Sequence, residues 1–119
     1  MKTRLDPRHR RRIKIVQDLF RRSFKEQKIS ALTQKVLDNI KKIDKIIIKA
    51  APEWPIDKIA KIDLAILRLA VFELSISKAA PPKVIIDEAV ELAKEFGSDR
   101  SAPFVNGALG AVLKRQNQS

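Results

Sequence analysis

The chain has 119 residues, 45% of them hydrophobic and 33% charged, with a formal net charge of +11. That size holds one ordinary hydrophobic core, and the composition fits neither a disordered chain nor a membrane protein, because no apolar run approaches the roughly 18 residues of a bilayer span. There are no cysteines and one histidine, His9. Disulfides, thiolate metal sites and cysteine nucleophiles are thereby excluded, and little is left for a histidine metal site or a catalytic triad.

The charge is unevenly placed. Residues 1–25 carry ten lysines and arginines against Asp6 and Asp18, a net +8, which leaves only +3 for residues 26–119. Such asymmetry points to a polyanion-binding end on an ordinary domain. The cysteine-free composition fits a reducing cytosol, so a cytoplasmic location is expected, without a cofactor or a metal.

In chain order, Asp6-Pro7 is a good N-cap and first-turn pair for a helix. Ile13, Val16, Phe20 and Phe24 then form one apolar stripe, while Arg11, Lys14, Asp18, Arg21 and Lys25 repeat on the other side. After the link "KEQKI", Ser30 is a plausible N-cap for a second helix marked by Leu32, Val36, Ile40, Ile43 and Ile47. "APEWP" must end it, since two prolines in four residues do not fit a helix interior. The sole tryptophan, Trp54, is expected to plug helix ends there.

From Asp57 to about Ser77 the chain is apolar around most of its helical circumference, the pattern of a helix at the centre of a bundle. Arg68 within it is expected to pair with an acidic residue such as Glu91. "KAAPP" is the next break. Pro82 opens a helix whose buried stripe is Ile85, Ala89, Leu92 and Phe96, with Gly97 as its C-terminal cap. Glu88, Glu91 and Glu95 share one face of it, expected to be solvated or partner-facing. Ser101 is a candidate cap for a last helix with Phe104, Val105, Ala108, Leu109 and Val112 inside. Gly107 and Gly110 cost about 1 kcal/mol each there, which suggests close approach of another backbone. The one alternating segment that could compete as a strand is "KVIID", whose context favours a helix start, so the fold class is all-α. The expected division is one domain: residues 1–29 an arginine-rich helix and link, 30–115 a helical bundle, and 116–119 a frayed tail.

Arg8, Arg10, Arg11 and Arg12 stand within five positions at the end of a helix where the macrodipole repels cations. A phosphate docked there would reverse the sign, since guanidinium forks and free N–H groups would all favour it. A mitochondrial presequence reading fails because the stripe behind the arginines reads as core, and no uncharged apolar stretch supports a secretory signal. Alone, the run separates neither RNA from DNA nor either from acidic lipid. Phe104, close to a helix start after "SDRS", is either core or a stacking platform.

Together, "RRRIKIVQDLF", "APEWPIDKIAKIDLAILRLAVFEL", "PPKVIIDEAVELAKEFGS" and "FVNGALGAVL" resemble the NusB family of transcription antitermination factors. The resemblance implies a compact bundle of about five to seven helices in two small subdomains, non-enzymatic, without a membrane partner, as a monomer or weak dimer. It implies recognition of boxA-type single-stranded RNA together with the ribosomal protein NusE, association with the transcription elongation complex, and suppression of premature termination of ribosomal RNA transcription. Carried onto this chain, Arg8, Arg10, Arg11, Arg12 and Lys14 become phosphate contacts. Lys83, Arg100, Ser101 and Phe104 complete the RNA surface, and Phe20 and Asp63 lie on the partner or RNA side. The chain departs from the family in the short "KEQKI" link, where the family usually has some 20 to 30 more residues, and in Arg100, Pro103 and Phe20. Two other readings are a non-catalytic domain related to the N-terminal part of ribosomal RNA cytosine methyltransferases, and a protein-interaction bundle solubilised by its arginines.

Overall fold

A computed structural model describes residues 6–24 and 28–118. Six α-helices make up the architecture: α1 (Pro7–Arg22), α2 (Ala31–Asp38), α3 (Ile40–Ala50), α4 (Lys61–Phe72), α5 (Pro82–Phe96) and α6 (Ser101–Asn117). Among the described residues there is no strand, and no helix is long and apolar enough to cross a membrane.

The all-round apolar segment is the hub. Eight of the twelve residues of α4 are buried, and all five other helices pack on it. The core is one contiguous cluster to which every helix contributes, including Val16 and Leu19 of α1, Val36 of α2, Ile43 of α3, Leu67 of α4, Leu92 of α5 and Leu109 of α6.

Helix starts follow local chemistry. The Asp6 carboxylate accepts the Arg8 N–H at 2.9 Å with Pro7 at the first position, and Ser30 Oγ accepts the Thr33 N–H at 3.2 Å. Pro82 opens α5 behind Pro81, whose backbone is extended. The start of α6 differs from expectation. Ser101 already lies inside the helix, and its buried Oγ accepts the Ser98 N–H at 2.9 Å, while Ser98 Oγ accepts the Arg100 N–H at 3.3 Å. This reciprocal pairing is a serine version of the capping box.

Four other expectations are corrected. The second helix is two: at Asn39 (φ −111°, ψ 14°) the chain leaves helical geometry, with the Asn39 amide bonded back to the Lys35 carbonyl at 2.9 Å. The central helix begins at Lys61, after one 3-10 turn at Ile56–Lys58 and extended backbone at Ile59 and Ala60. It ends in a π-helical turn, Glu73–Ser77, closed by Lys78 in the left-handed region at φ 49°. Gly97 caps α5 as expected, though in extended rather than left-handed geometry (φ −98°, ψ −166°). What requires glycine there is space, because a Cβ would collide with the Ser101 side chain. Gly107 and Gly110 meet nothing within 4 Å of where a Cβ would stand, so they lie on an open face and not at a close helix crossing. Nor is the C-terminal segment frayed from Gln116: α6 continues to Asn117 and the Gln116 amide donates to Ser75 Oγ at 2.6 Å.

Candidate nucleic-acid interface

The stripe that fixes α1 is rotated from the one its apolar residues predict. Ile15, Val16 and Leu19 are buried, Ile13 and Phe20 only partly, and Phe24 lies beyond the helix end at 64% exposure. The Phe24 ring meets Phe20 edge-on at 5.1 Å and lies under the Lys61 ammonium at 5.2 Å. The inward face also carries three polar side chains, and each has its partner elsewhere in the bundle.

Arg12 is 8% exposed. Its Nε and Nη2 donate to the Glu73 carboxylate at 2.9–3.1 Å, and Nη1 lies 3.6 Å from Glu88 Oε1. A bidentate pair of this kind holds α1 to the π turn after α4. His9 is 4% exposed and lies between two carboxylates of α5, with Nδ1 and Nε2 each 2.7 Å from Glu88 Oε2 and Glu95 Oε1. Burial works against a charged ring, but the hydrogen bonds to Glu88 and Glu95, reinforced by their charge, hold the His9 pKa above its ordinary value. The face of α5 expected to be solvated is thus, at Glu88 and Glu95, the receptor for α1.

Asp18, placed on the cationic face by its spacing, is the third inward group. It accepts from Thr33 Oγ1 at 2.9 Å, the Ser30 N–H at 3.2 Å and Lys14 Nζ at 2.8 Å. Burial alone would raise its pKa, yet these donors bring it below the usual carboxylate value. Arg68 pairs with Asp44 of α3, not with Glu91: Nε to Oδ1 at 3.0 Å and Nη2 to Oδ2 at 2.9 Å.

Helix geometry therefore splits the arginine run. His9 and Arg12 point inward, whereas Arg8, Arg10 and Arg11 are exposed. Arg10 and Arg11 have no acidic partner among the described residues, and Arg8 has only Asp6, 3.6 Å away. Arg8 stands between two grooves. One, about 470 Å³, runs past Arg11 and Lys35 over Ile15 and Phe72. The other, open and about 1040 Å³, brings Arg8 together with Lys94 of α5 and with Pro103 and Asn106 of α6. Its walls also hold Asp87 and Glu91.

Among the remaining expected contacts, Lys83 and Arg100 are exposed, and Lys14 is exposed but bonded to Asp18. Ser101 is buried, its hydroxyl occupied by the start of α6, so neither it nor Arg12 presents its polar group outward. Phe104 lies between the two roles: half-buried against the core, with its ring edge-on to Trp54 at 5.8 Å. Trp54 is not a plug, being 49% exposed. Asp63, in the first turn of α4, is buried with Oδ1 lacking a hydrogen-bond partner, at a helix end that favours negative charge. The inward place of His9 leaves little trace in the sequence. Its only signal is spacing, since it precedes Arg12 and Val16 by one and two helical turns.

Residues 8–114 match the model of the NusB family. The transcription antitermination protein NusB of Chloroflexus aggregans is 55% identical over 75 residues, which cover 61% of this chain and 50% of that protein. The NusB of Natranaerobius thermophilus is 40% identical over 93 residues, 78% of this chain and 67% of that protein. The chain spans about half the length of most of the curated relatives it matches. Among solved structures, T. maritima NusB shares 30% identity at a TM-score of 0.78, over 96% of this chain and 93% of that one. A chain in the crystal structure of a plectonemic RNA supercoil shares 25% identity at a TM-score of 0.86, over 97% and 99%. With nearly the whole chain matched in sequence and the same helical frame recovered in three dimensions, this protein belongs to the NusB family.

Proposed function

We propose that the protein is a non-catalytic RNA-binding transcription antitermination factor. In this reading it recognises boxA-type single-stranded RNA together with the ribosomal protein NusE and, joined to the transcription elongation complex, suppresses premature termination of ribosomal RNA transcription. The observation that carries the reading is the split of the arginine run. Arg8, Arg10 and Arg11 project from the first turns of a helix whose orientation is fixed by the buried His9 and Arg12. Three exposed guanidinium groups at the positive end of a helix repel one another until an anion arrives, and phosphates relieve both strains at once. The relatives' name, transcription antitermination protein, supports the same assignment.

The mechanism is recognition without chemistry. Arginines hold phosphates and set the register, while Phe104 and the polar groups around the start of α6 meet unpaired bases. Lys83 and Arg100 add positive charge to the same surface. NusE supplies the remaining contacts in the complex.

The test is anisotropy of a labelled boxA-type RNA across a salt series, with and without NusE. Each neutralised phosphate of a single strand contributes about −0.7 to the log–log salt slope. Replacing Arg8, Arg10 and Arg11 with alanine should therefore flatten the slope by about 2 and weaken binding. Equal affinity for a scrambled RNA under every condition would refute the specific claim, and an unchanged slope in the triple variant would refute the role of the arginines.

A further inference from the structure

We propose that Trp54 is a base-stacking platform, the next contact beyond Phe104 for a single-stranded RNA lying along α6; this rests on the RNA-binding reading above. The only tryptophan of the chain is 49% exposed, so about half of a large aromatic surface is open to a stacking partner. Its position is not loose. Pro52 and Pro55 lie on either side of it, its backbone N–H donates to the Ala51 carbonyl at 3.0 Å, and the Pro55 carbonyl accepts the Lys58 backbone N–H at 2.8 Å. Phe104, itself packed against the core, braces the indole edge-on with the rings at 76°. The ring is thus held ready, with its ordering cost already met in folding.

The surroundings favour a nucleotide over other occupants. Arg100 lies one helical turn before Phe104, as the Phe104 N–H bond to the Arg100 carbonyl at 3.2 Å shows. It is exposed and has no acidic partner among the described residues. An exposed arginine one helical turn from an aromatic ring can hold a phosphate while the ring takes the base, the usual combination in single-strand binding. Glu53 and Asp57 lie in the same loop as Trp54 and would repel phosphates, so the base, not the backbone, faces the indole. Gly107 has open space where a Cβ would stand, and Pro103, next to Phe104 in the chain, and Asn106 line the groove that contains Arg8.

The chain has no tyrosine, so its tryptophan emission reports on Trp54 alone. Titration with a boxA-type RNA oligonucleotide should quench that emission with the same midpoint as the anisotropy of the labelled RNA. Trp54→Ala should weaken binding about tenfold or more, while Trp54→Phe keeps most of the affinity. Should Trp54→Ala lose helical circular dichroism, the quench and the Trp54→Phe variant still decide the matter. RNA binding by anisotropy with unchanged emission and a silent Trp54→Ala overturns the stacking role while the RNA reading stands. Quenching by NusE but not by RNA assigns the ring to a protein contact and also overturns it. No RNA binding by either measure removes the RNA reading and this inference with it.

Discussion

His9 offers a test in which pH alone is the perturbation. Both ring nitrogens lie 2.7 Å from carboxylate oxygens, and an imidazole donates from both only when it is protonated. Below its folded pKa, which the bonds to Glu88 and Glu95 raise above the ordinary value, the ring is an imidazolium that can donate to both carboxylates. A group whose folded pKa exceeds its unfolded value stabilises fully below the unfolded value and ceases to do so as pH rises through the folded one. Stability should fall from about pH 6.5 upward, by no more than about 1.4 kcal/mol per pH unit, and level off above the folded pKa. For the size of the loss, a hydrogen bond between charged groups contributes about 1.5–3 kcal/mol. The bond to Glu88 is buried, whereas the Glu95 side chain is 34% exposed and its bond is discounted for screening. His9→Gln should then cost about 2–3 kcal/mol at pH 6, with Arg12 still 3.6 Å from Glu88 to limit the damage. The assay is urea unfolding followed by circular dichroism from pH 5.5 to 9. No other histidine and no cysteine titrates in that range. Identical pH slopes for native protein and His9→Gln would refute the reasoning, as would an NMR titration placing His9 below 6.5.

Two further predictions concern packing and the second anchor of α1. Two glycines should respond oppositely to alanine: Gly97→Ala forces a methyl into the Ser101 side chain and should cost about 1–3 kcal/mol, whereas Gly107→Ala enters open space within a helix and should gain about 0.5–1 kcal/mol. Thermal melts of the two variants check both signs. Asp18→Ala strands the Ser30 N–H and leaves the Thr33 hydroxyl only its bond to Ser30 Oγ, and should cost about 1–3 kcal/mol in urea titrations. Its folded pKa is lowered, so its contribution is present above the unfolded carboxylate value and lost as pH falls through the folded one; acid titration of the native protein should show that loss, and Asp18→Ala should not.

What the residue pattern made legible was what neighbours in sequence decide. Asp6, Ser30 and Pro82 start helices because a cap needs only the next three residues, and α4 shows its central place by having almost no polar side. The inward turn of His9 and Arg12 lay outside that reach. Hydrophobic periodicity counts apolar residues, and these two are buried by carboxylates 79 and 61 residues away. The same blindness put Glu88 on a solvated face and Asp18 on a cationic one. The exposed arginines of the candidate interface were visible as a run, but which of them face outward is set by carboxylates of α5 and of the turn after α4. Trp54 was misplaced for a related reason, since proline spacing marks a break without saying whether its ring turns in or out.

The break at Asn39 ties two parts of the molecule together. Unbroken, residues 31–50 would form a rod of about 30 Å, nearly the full width of the protein, whose extents are 35 × 34 × 29 Å. Divided, it leaves α2 with eight residues, too few to hold a helix unaided in water. The helicity of α2 then depends on its Ser30 cap and on Asp18 reaching across from α1. Docking of α1 and winding of α2 become one cooperative event. A ligand that tightens the grip of α1 on the bundle should slow hydrogen exchange at the amides of α2, a helix it need never touch.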